Sequence, residues 1–167
     1  MKILIFGAGV LGCNMANNFF RAGKDVTLLA RGKWAEQIKN NGLRIKNMFS
    51  PRVSVSRVSV VTELAPDDTY DVIFVPVRYT QLETVIAALK ANKTENIVFV
   101  GNNVRARETA DCLPEKNVIF GFTNAAGHRE SDRVVSVDLH KITVGQIKGA
   151  PSNERLIGEI FKGTKYK

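Results

Sequence analysis

A glycine turn near the start of the chain restricts the possible folds more than any other feature. It follows directly on a short apolar segment, Lys2–Phe6, and precedes a helix-like stretch that ends near Gly23. Asp25–Leu29 is a second apolar segment. The turn itself is Gly7, Ala8, Gly9, Val10, Leu11 and Gly12, which has the spacing G-x-G-x-x-G. Strand, glycine turn, helix and strand in this order predict a β-α-β unit with parallel strands.

Each glycine of this turn meets a different steric requirement of a dinucleotide-binding site. Gly7 permits the tight turn, Gly9 lets a pyrophosphate approach the backbone, and Gly12 lets helix and strand pack closely. The phosphates then lie at the helix N-terminus, where amide groups are free to bind anions. Glycines that merely end a strand are the alternative, but the position of the motif within a β-α-β unit favours the binding site.

The end of the second strand predicts which dinucleotide binds. In NAD sites an Asp or Glu about 20 residues beyond the glycines bonds the ribose 2′-hydroxyl. Ala30 and Arg31 stand there instead. A guanidinium binds a 2′-phosphate with charge-assisted hydrogen bonds, whereas a carboxylate repels it. The pair therefore predicts NADP(H), with an ordinary exposed arginine as the alternative.

The rest of the chain continues to alternate helices and strands, and 167 residues with 44% hydrophobic content suit one domain, residues 1–167. Buried strands are predicted at Tyr70–Val75, Ile97–Val100 and Val118–Phe120, half-exposed strands within Leu43–Val61, and antiparallel edge strands within Arg133–Gly145. Helices are predicted at Trp34–Ile38, along the apolar stripe from Leu82 to Leu89, at Arg105–Leu113 and at Asn153–Phe161. The predicted fold class is α/β: a Rossmann-type, doubly wound, mostly parallel sheet with helices on both faces and antiparallel edge strands.

The formal net charge of +8 favours an anionic ligand. Basic residues are scattered from Lys2 to Lys167 without a clustered arm, so we expect a solvated basic surface and no nucleic-acid partner. Cys13 and Cys112 have no zinc or redox spacing, so we expect two buried, reduced thiols and no metal site. No leader or membrane-spanning segment is found, which makes the cytoplasm the expected location.

Two further motifs follow later strands. Val77-Arg78-Tyr79-Thr80-Gln81 comes after the third core strand, and Val100-Gly101-Asn102-Asn103 comes after the fourth. Together with the glycine turn and Ala30-Arg31, these motifs make essentially the whole chain resemble the N-terminal domain of the 2-dehydropantoate 2-reductase family, also called ketopantoate reductases.

The resemblance implies roles for four further positions. In the family a Lys and a Gln of the first motif reach the cofactor; Gln81 matches, and Arg78 replaces the Lys. Asn102 matches the Asn that meets the nicotinamide ribose and the substrate, and Asn103 replaces a Gly, which the tolerance of Asn for a left-handed backbone makes feasible. Backbone near Gly127, in a loop over residues 121–129, would pass the cofactor, while a lone histidine such as His128 is usually a surface or turn residue.

The family's catalytic Lys and substrate-binding Glu belong to a helical C-terminal domain that this chain does not contain, so we assign no catalytic residue here. We expect a truncated protein, a gene fragment or half of a split enzyme, completed by that domain or by a second chain. The implied activity is NADPH-dependent reduction of a small 2-oxo acid, 2-dehydropantoate to pantoate, in pantothenate biosynthesis. A non-catalytic NADP(H)-binding or sensing module is the alternative, and a nucleic-acid binder ranks last.

Overall fold

The computed structural model describes residues 1–147 and 153–167, and within them one sheet of nine strands has the order β4-β3-β9-β8-β7-β6-β1-β2-β5. The strands are β1 (Lys2–Phe6), β2 (Asp25–Leu29), β3 (Leu43–Asn47), β4 (Val53–Ser56), β5 (Ser59–Val61), β6 (Val72–Val75), β7 (Asn96–Val100), β8 (Asn117–Arg129) and β9 (Val134–Gly145). The helices are α1 (Val10–Arg21), α2 (Gly32–Asn41), α3 (Leu82–Ala91), α4 (Ala106–Asp111) and α5 (Asn153–Phe161). The predicted α/β fold class is confirmed.

Six strands form a parallel core. β1 pairs with β2 on one side and with β6 on the other, and β5, β7 and the first half of β8 extend the parallel arrangement. Ile3 and Ile5 face a core shared with α1 and α2, whereas Leu4 and Phe6 face a core shared with α3. Burial on both faces explains why β1 and β6 are continuous apolar runs.

The antiparallel part of the sheet curls around α1, which contacts β3, β4, β8 and β9 as well as β1 and β2. Asparagines of α1 hydrogen-bond to these strands. The bonds are Ser136 Oγ to Asn14 Oδ1 (3.0 Å), Ser56 Oγ to Asn17 Oδ1 (3.0 Å) and Asn18 Nδ2 to Asp138 Oδ2 (3.0 Å). The polar residues of α1 therefore fix the helix inside the curl of the sheet.

Two local expectations about the last strands are wrong. Arg133–Gly145 was expected at a sheet edge, but β9 lies between β8 and β3, and the antiparallel edge pair is β3 with β4. The alternation of apolar and polar residues in β9 shows that one face of the strand is exposed. A strand inside a sheet can also have one exposed face, so the alternation does not identify an edge strand. Residues 121–129 were expected to form a loop, but they continue β8, which runs past the end of β7 as a ribbon paired with β9.

The helices occur where they were predicted, with α2 longer and α4 shorter than expected. Cys13 is buried as expected, and burial raises the pKa of its thiol to about 12. Cys112 is exposed, contrary to expectation, because it follows the short helix α4 and Leu113 takes the buried position beside it. Within the described residues, no helix is both long enough and apolar enough to cross a membrane.

Candidate dinucleotide-binding cleft

A cleft of about 1400 Å³ lies beyond the carboxyl ends of the parallel strands, and we call it the carboxyl-edge cleft. Its walls are the segments that follow β1, β2, β6 and β7, together with the distal half of β8. Ligands of open α/β sheets bind at this edge, beside the strand where the strand order reverses. In this sheet that strand is β1, because the crossover through α1 leads to β2 and the later connections lead to β6 on the opposite side.

Ten of the eleven cofactor-contact residues predicted from the sequence line the carboxyl-edge cleft. They are Gly7, Ala8, Gly9, Val10, Leu11, Arg31, Arg78, Gln81, Asn102 and Gly127. The structure therefore brings together residues from five separate parts of the chain, and their contact with a cofactor stays a prediction. Gly12 does not line the cleft.

The three glycines of the turn differ in their surroundings. Gly7 has a φ of +128°, which favours glycine. A Cβ at Gly12 would collide with the carbonyl oxygen of Gly7 and lie 3.1 Å from Pro76 Cγ, so Gly12 is required for helix and strand to pack. A Cβ at Gly9 would meet no protein atom within 4 Å. Gly9 therefore leaves open the space in which a ligand can reach the backbone.

The N-terminus of α1 fits a phosphate group. Its N-cap is Gly9, no side chain caps it, and its first turn contains no acidic residue. The amide groups of the first helical turn have no partner inside a helix, and the helix dipole places partial positive charge there. This N-terminus lies in the wall of the carboxyl-edge cleft, so these amides are available to an anionic ligand.

Arg31 supplies positive charge at the end of β2. It is the N-cap of α2, it is exposed, and the first turn of α2 contains no acidic side chain. The preceding residue is fixed to the sheet, because the amide of Ala30 donates to the carbonyl oxygen of Val61 at 3.0 Å. A guanidinium and a helix N-terminus thus lie together at the end of β2, where both contribute positive charge.

Arg78 and Gln81 lie in the segment between β6 and α3. A single turn of 3-10 helix, Tyr79–Gln81, joins them, and the amide of Gln81 donates to the carbonyl oxygen of Arg78 at 2.9 Å. Both residues are exposed and line the cleft. The planar guanidinium of Arg78 therefore occupies the position of the Lys in the resembled motif, with a fork of donors instead of a point charge.

Asn102 is exposed to the cleft, whereas Asn103 has a structural role. The side chain of Asn103 donates to the carbonyl oxygen of Gly121 at 3.0 Å, and the amide of Gly101 donates to the same oxygen at 3.0 Å. The expectation that Asn103 uses a left-handed backbone is wrong. The positive φ, +146°, belongs to Gly101, and His140 is the only non-glycine residue with a positive φ in the described parts of the chain.

Gly127 lies within β8 and lines the cleft. A Cβ there would collide with the carbonyl oxygen of Val135 on β9, so close pairing of the ribbon requires glycine. His128 does not line the cleft; its side chain is 61% exposed, with Nε2 3.6 Å from Glu130 Oε1. Lys141 is exposed on β9, also outside the cleft.

Trp34 and Arg129 are among the lining residues of the cleft that sequence reasoning missed. Trp34 Nε1 donates to the carbonyl oxygen of Ala8 at 3.1 Å, and the guanidinium carbon of Arg129 lies 5.2 Å from the centroid of the Trp34 ring. Trp34 follows Arg31 by three residues, a spacing that places both on one face of α2. Arg129 gave no comparable signal, because its segment was expected to be a loop.

Comparisons with known proteins find a matching family model and longer relatives. Residues 3–149 match the family model described as ketopantoate reductase PanE/ApbA. The chain is 27% identical over 99% of its length to a Bacillus subtilis protein named uncharacterized oxidoreductase YkpB, and 29% identical over 96% to the 2-dehydropantoate 2-reductase of Archaeoglobus fulgidus. It spans 55% and 53% of these two relatives, about half of each.

A solved structure shares the fold. The crystal structure of a probable 2-dehydropantoate 2-reductase from Bacillus subtilis superposes with a TM-score of 0.83 at 22% sequence identity. The match covers 97% of this chain and 54% of the solved one. The architecture described above is therefore that of about half of a longer solved chain.

Proposed function

The chain belongs to the ketopantoate reductase PanE/ApbA family of oxidoreductases, and on this premise we propose that it is the NADPH-binding half of an enzyme that reduces 2-dehydropantoate to pantoate. The observation that carries the proposal is the convergence of the glycine turn, Arg31 and Asn102 in one cleft. These three features follow three different strands, so only the folded sheet brings them together. Bound NADPH would supply the hydride for the ketone carbon.

Different residues of the cleft bind different parts of the cofactor. The glycine turn and the N-terminus of α1 hold the pyrophosphate through backbone amides. Arg31 holds the 2′-phosphate, and this charge favours NADPH over NADH because NADH offers a hydroxyl at that position. Asn102 faces the same cleft from the end of β7 and orients the nicotinamide ribose and the substrate.

The proton and the substrate carboxylate require further groups. Reduction of a ketone places negative charge on its oxygen, which a general acid must neutralise. Asn102 can donate a hydrogen bond but has no proton to transfer. Because the chain spans about half of its curated relatives, we infer that a helical C-terminal domain or a second chain supplies these groups.

Calorimetric titration of the chain with NADPH, NADH and ATP tests the cofactor assignment. We expect NADPH to bind more tightly than NADH. ATP carries a triphosphate without the 2′-phosphate and controls for unspecific attraction to a chain of net charge +8. If neither dinucleotide binds, the assignment of the cleft as a dinucleotide-binding site is overturned. If both bind with equal affinity, the preference for NADPH is overturned.

A further inference from the structure

Arg129 lies at the end of the β8 ribbon, opposite Val134 of β9. Its side chain lines the carboxyl-edge cleft on the wall that the ribbon forms. The ribbon extends past the end of β7, so Arg129 reaches a place that the parallel strands themselves do not reach. A positive charge from a remote part of the chain is thereby added to the cleft.

Trp34 fixes the position of this charge. The guanidinium of Arg129 lies over the indole ring, 5.2 Å from its centroid, which is within the range of a cation–π contact. Trp34 is 8% exposed, and the hydrogen bond from its Nε1 to the carbonyl oxygen of Ala8 anchors the ring to the glycine turn. Arg129 is therefore held next to the turn that we assign to the pyrophosphate.

The charge of Arg129 also acts on Cys13 in the first turn of α1. Burial is the largest influence on the pKa of the Cys13 thiol and raises it, while the contact with Trp34 and the charge of Arg129 act in the opposite direction. Cys13 follows Gly9 by one turn, and its amide donates to the carbonyl oxygen of Gly9 at 2.9 Å. Arg129 therefore lies close enough to the first turn of α1 for its charge to act on the Cys13 thiol.

Neighbouring arginines form ion pairs with carboxylates, whereas Arg129 forms none among the described residues. Arg44 lies 2.6 Å from Asp132, and Arg133 contacts Asp132 at 2.8 Å and Glu130 at 3.3 Å. In residues 1–147 and 153–167, no side-chain hydrogen bond or ion pair involves Arg129. Its guanidinium keeps all its donors for a ligand while the indole limits its motion.

We propose that Arg129 is a ligand of the cofactor pyrophosphate and that Trp34 is the platform that positions it. The inference rests on the proposed function and adds a residue to that site. We favour the pyrophosphate over the 2′-phosphate as the ligand of Arg129 because Trp34 is hydrogen-bonded to the glycine turn. The 2′-phosphate position at the end of β2 already has Arg31. A planar guanidinium can bind two phosphate oxygens at once, from the side opposite the amides of α1.

The test compares Arg129→Met with Arg129→Lys and with the control Arg155→Met, which removes an exposed arginine of α5 outside the cleft. Dissociation constants for NADPH and NADH are measured by calorimetry and by the emission of Trp34, the single tryptophan of the chain. We expect Arg129→Met to weaken both dinucleotides by the same factor, about tenfold. Arg129→Lys restores part of the affinity, and Arg155→Met changes neither.

The outcomes separate the inference from the function on which it rests. If the unmodified chain binds neither dinucleotide, the proposed function fails. If it binds NADPH and Arg129→Met binds equally well, the inference is overturned. A loss for NADPH alone would assign Arg129 to the 2′-phosphate, and an equal loss in Arg155→Met would reduce the effect to net charge; both overturn the inference. Thermal unfolding of each variant accompanies the titrations, and Arg129→Gln replaces the Met variant if that one does not fold.

Discussion

The indole Nε1 of Trp34 donates a hydrogen bond to the carbonyl oxygen of Ala8, at 3.1 Å and across 26 residues of sequence. The bond ties the first turn of α2 to the glycine turn that precedes α1. Arg31 is the N-cap of α2, so the same hydrogen bond also fixes the distance between the pyrophosphate position and the 2′-phosphate position that we propose. The site can then select a dinucleotide by the distance between its phosphates as well as by their charge.

Arg31→Ala should remove most of the preference for NADPH over NADH. The lost interaction is a charged hydrogen bond to the 2′-phosphate, and we expect NADPH affinity to fall about tenfold while NADH affinity changes little. Titration calorimetry with both cofactors measures the difference. Arg155→Ala is the matched control, since it removes the same charge from the exposed surface of α5. A parallel loss for NADPH and NADH in Arg31→Ala would contradict the assigned role.

Gly9→Val should abolish dinucleotide binding and leave the chain folded. A Cβ at Gly9 meets no protein atom within 4 Å, so the new side chain starts from open space in the wall of the cleft and blocks the place assigned to the pyrophosphate. Circular dichroism and thermal unfolding verify the fold, and calorimetry measures NADPH binding. A folded Gly9→Val protein that still binds NADPH would mean that the glycine only ends the strand.

Gly12→Ala is the structural counterpart of that variant. Its methyl group would collide with the carbonyl oxygen of Gly7 and crowd Pro76, so helix and strand must separate. We expect the free energy of unfolding to fall by about 1–3 kcal/mol, as for other overpacked sites. Urea unfolding measures the change, and a Gly12→Ala chain of unchanged stability would refute the packing role of Gly12.

The two cysteines should differ in their reaction with iodoacetamide. Burial raises the pKa of Cys13 from 9.0 to about 12, so at about pH 8 its thiol stays protonated and enclosed, whereas Cys112 is exposed. Mass spectrometry of the native chain should show one label, at Cys112, and the chain unfolded in urea should show two. Rapid labelling of Cys13 in the native chain would mean that α1 detaches readily from the sheet.

The sequence predicted the first β-α-β unit closely because the signals there are local. β1 and β2 have the predicted bounds, since each mostly apolar segment begins at a charged residue and ends within two residues of a glycine or an arginine. The same local chemistry predicted the glycine turn and Arg31 as neighbours in one cleft. The later motifs were assigned to the same site from the family resemblance, and they line the same cleft because the ends of adjacent parallel strands meet at one edge of a sheet.

The remaining parts depend on long-range contacts that periodicity does not report. Asn14, Asn17 and Asn18 look like a solvated helix face, yet they bind the strands that curl around α1. The alternation in β9 reports one covered face and does not tell which strand lies beside it. Trp34 and Arg129 escaped prediction for the same reason, because their contact exists only once the β8 ribbon is folded against α2.

The chain alone should bind NADPH without reducing 2-dehydropantoate. Among the described residues that line the carboxyl-edge cleft, the ionisable side chains are Arg31, Arg78 and Arg129. A guanidinium does not lose its proton in proteins, so none of the three can protonate the alkoxide that forms when hydride reaches the ketone. The assay follows NADPH absorbance with saturating 2-dehydropantoate, for this chain and for any longer product of the same gene, which serves as the positive control. We expect the isolated chain to oxidise NADPH at the rate of the buffer alone. Substrate-dependent oxidation by the isolated chain would contradict this prediction and would direct mutagenesis to His128 and Lys141, two exposed residues outside the cleft whose side chains can transfer a proton.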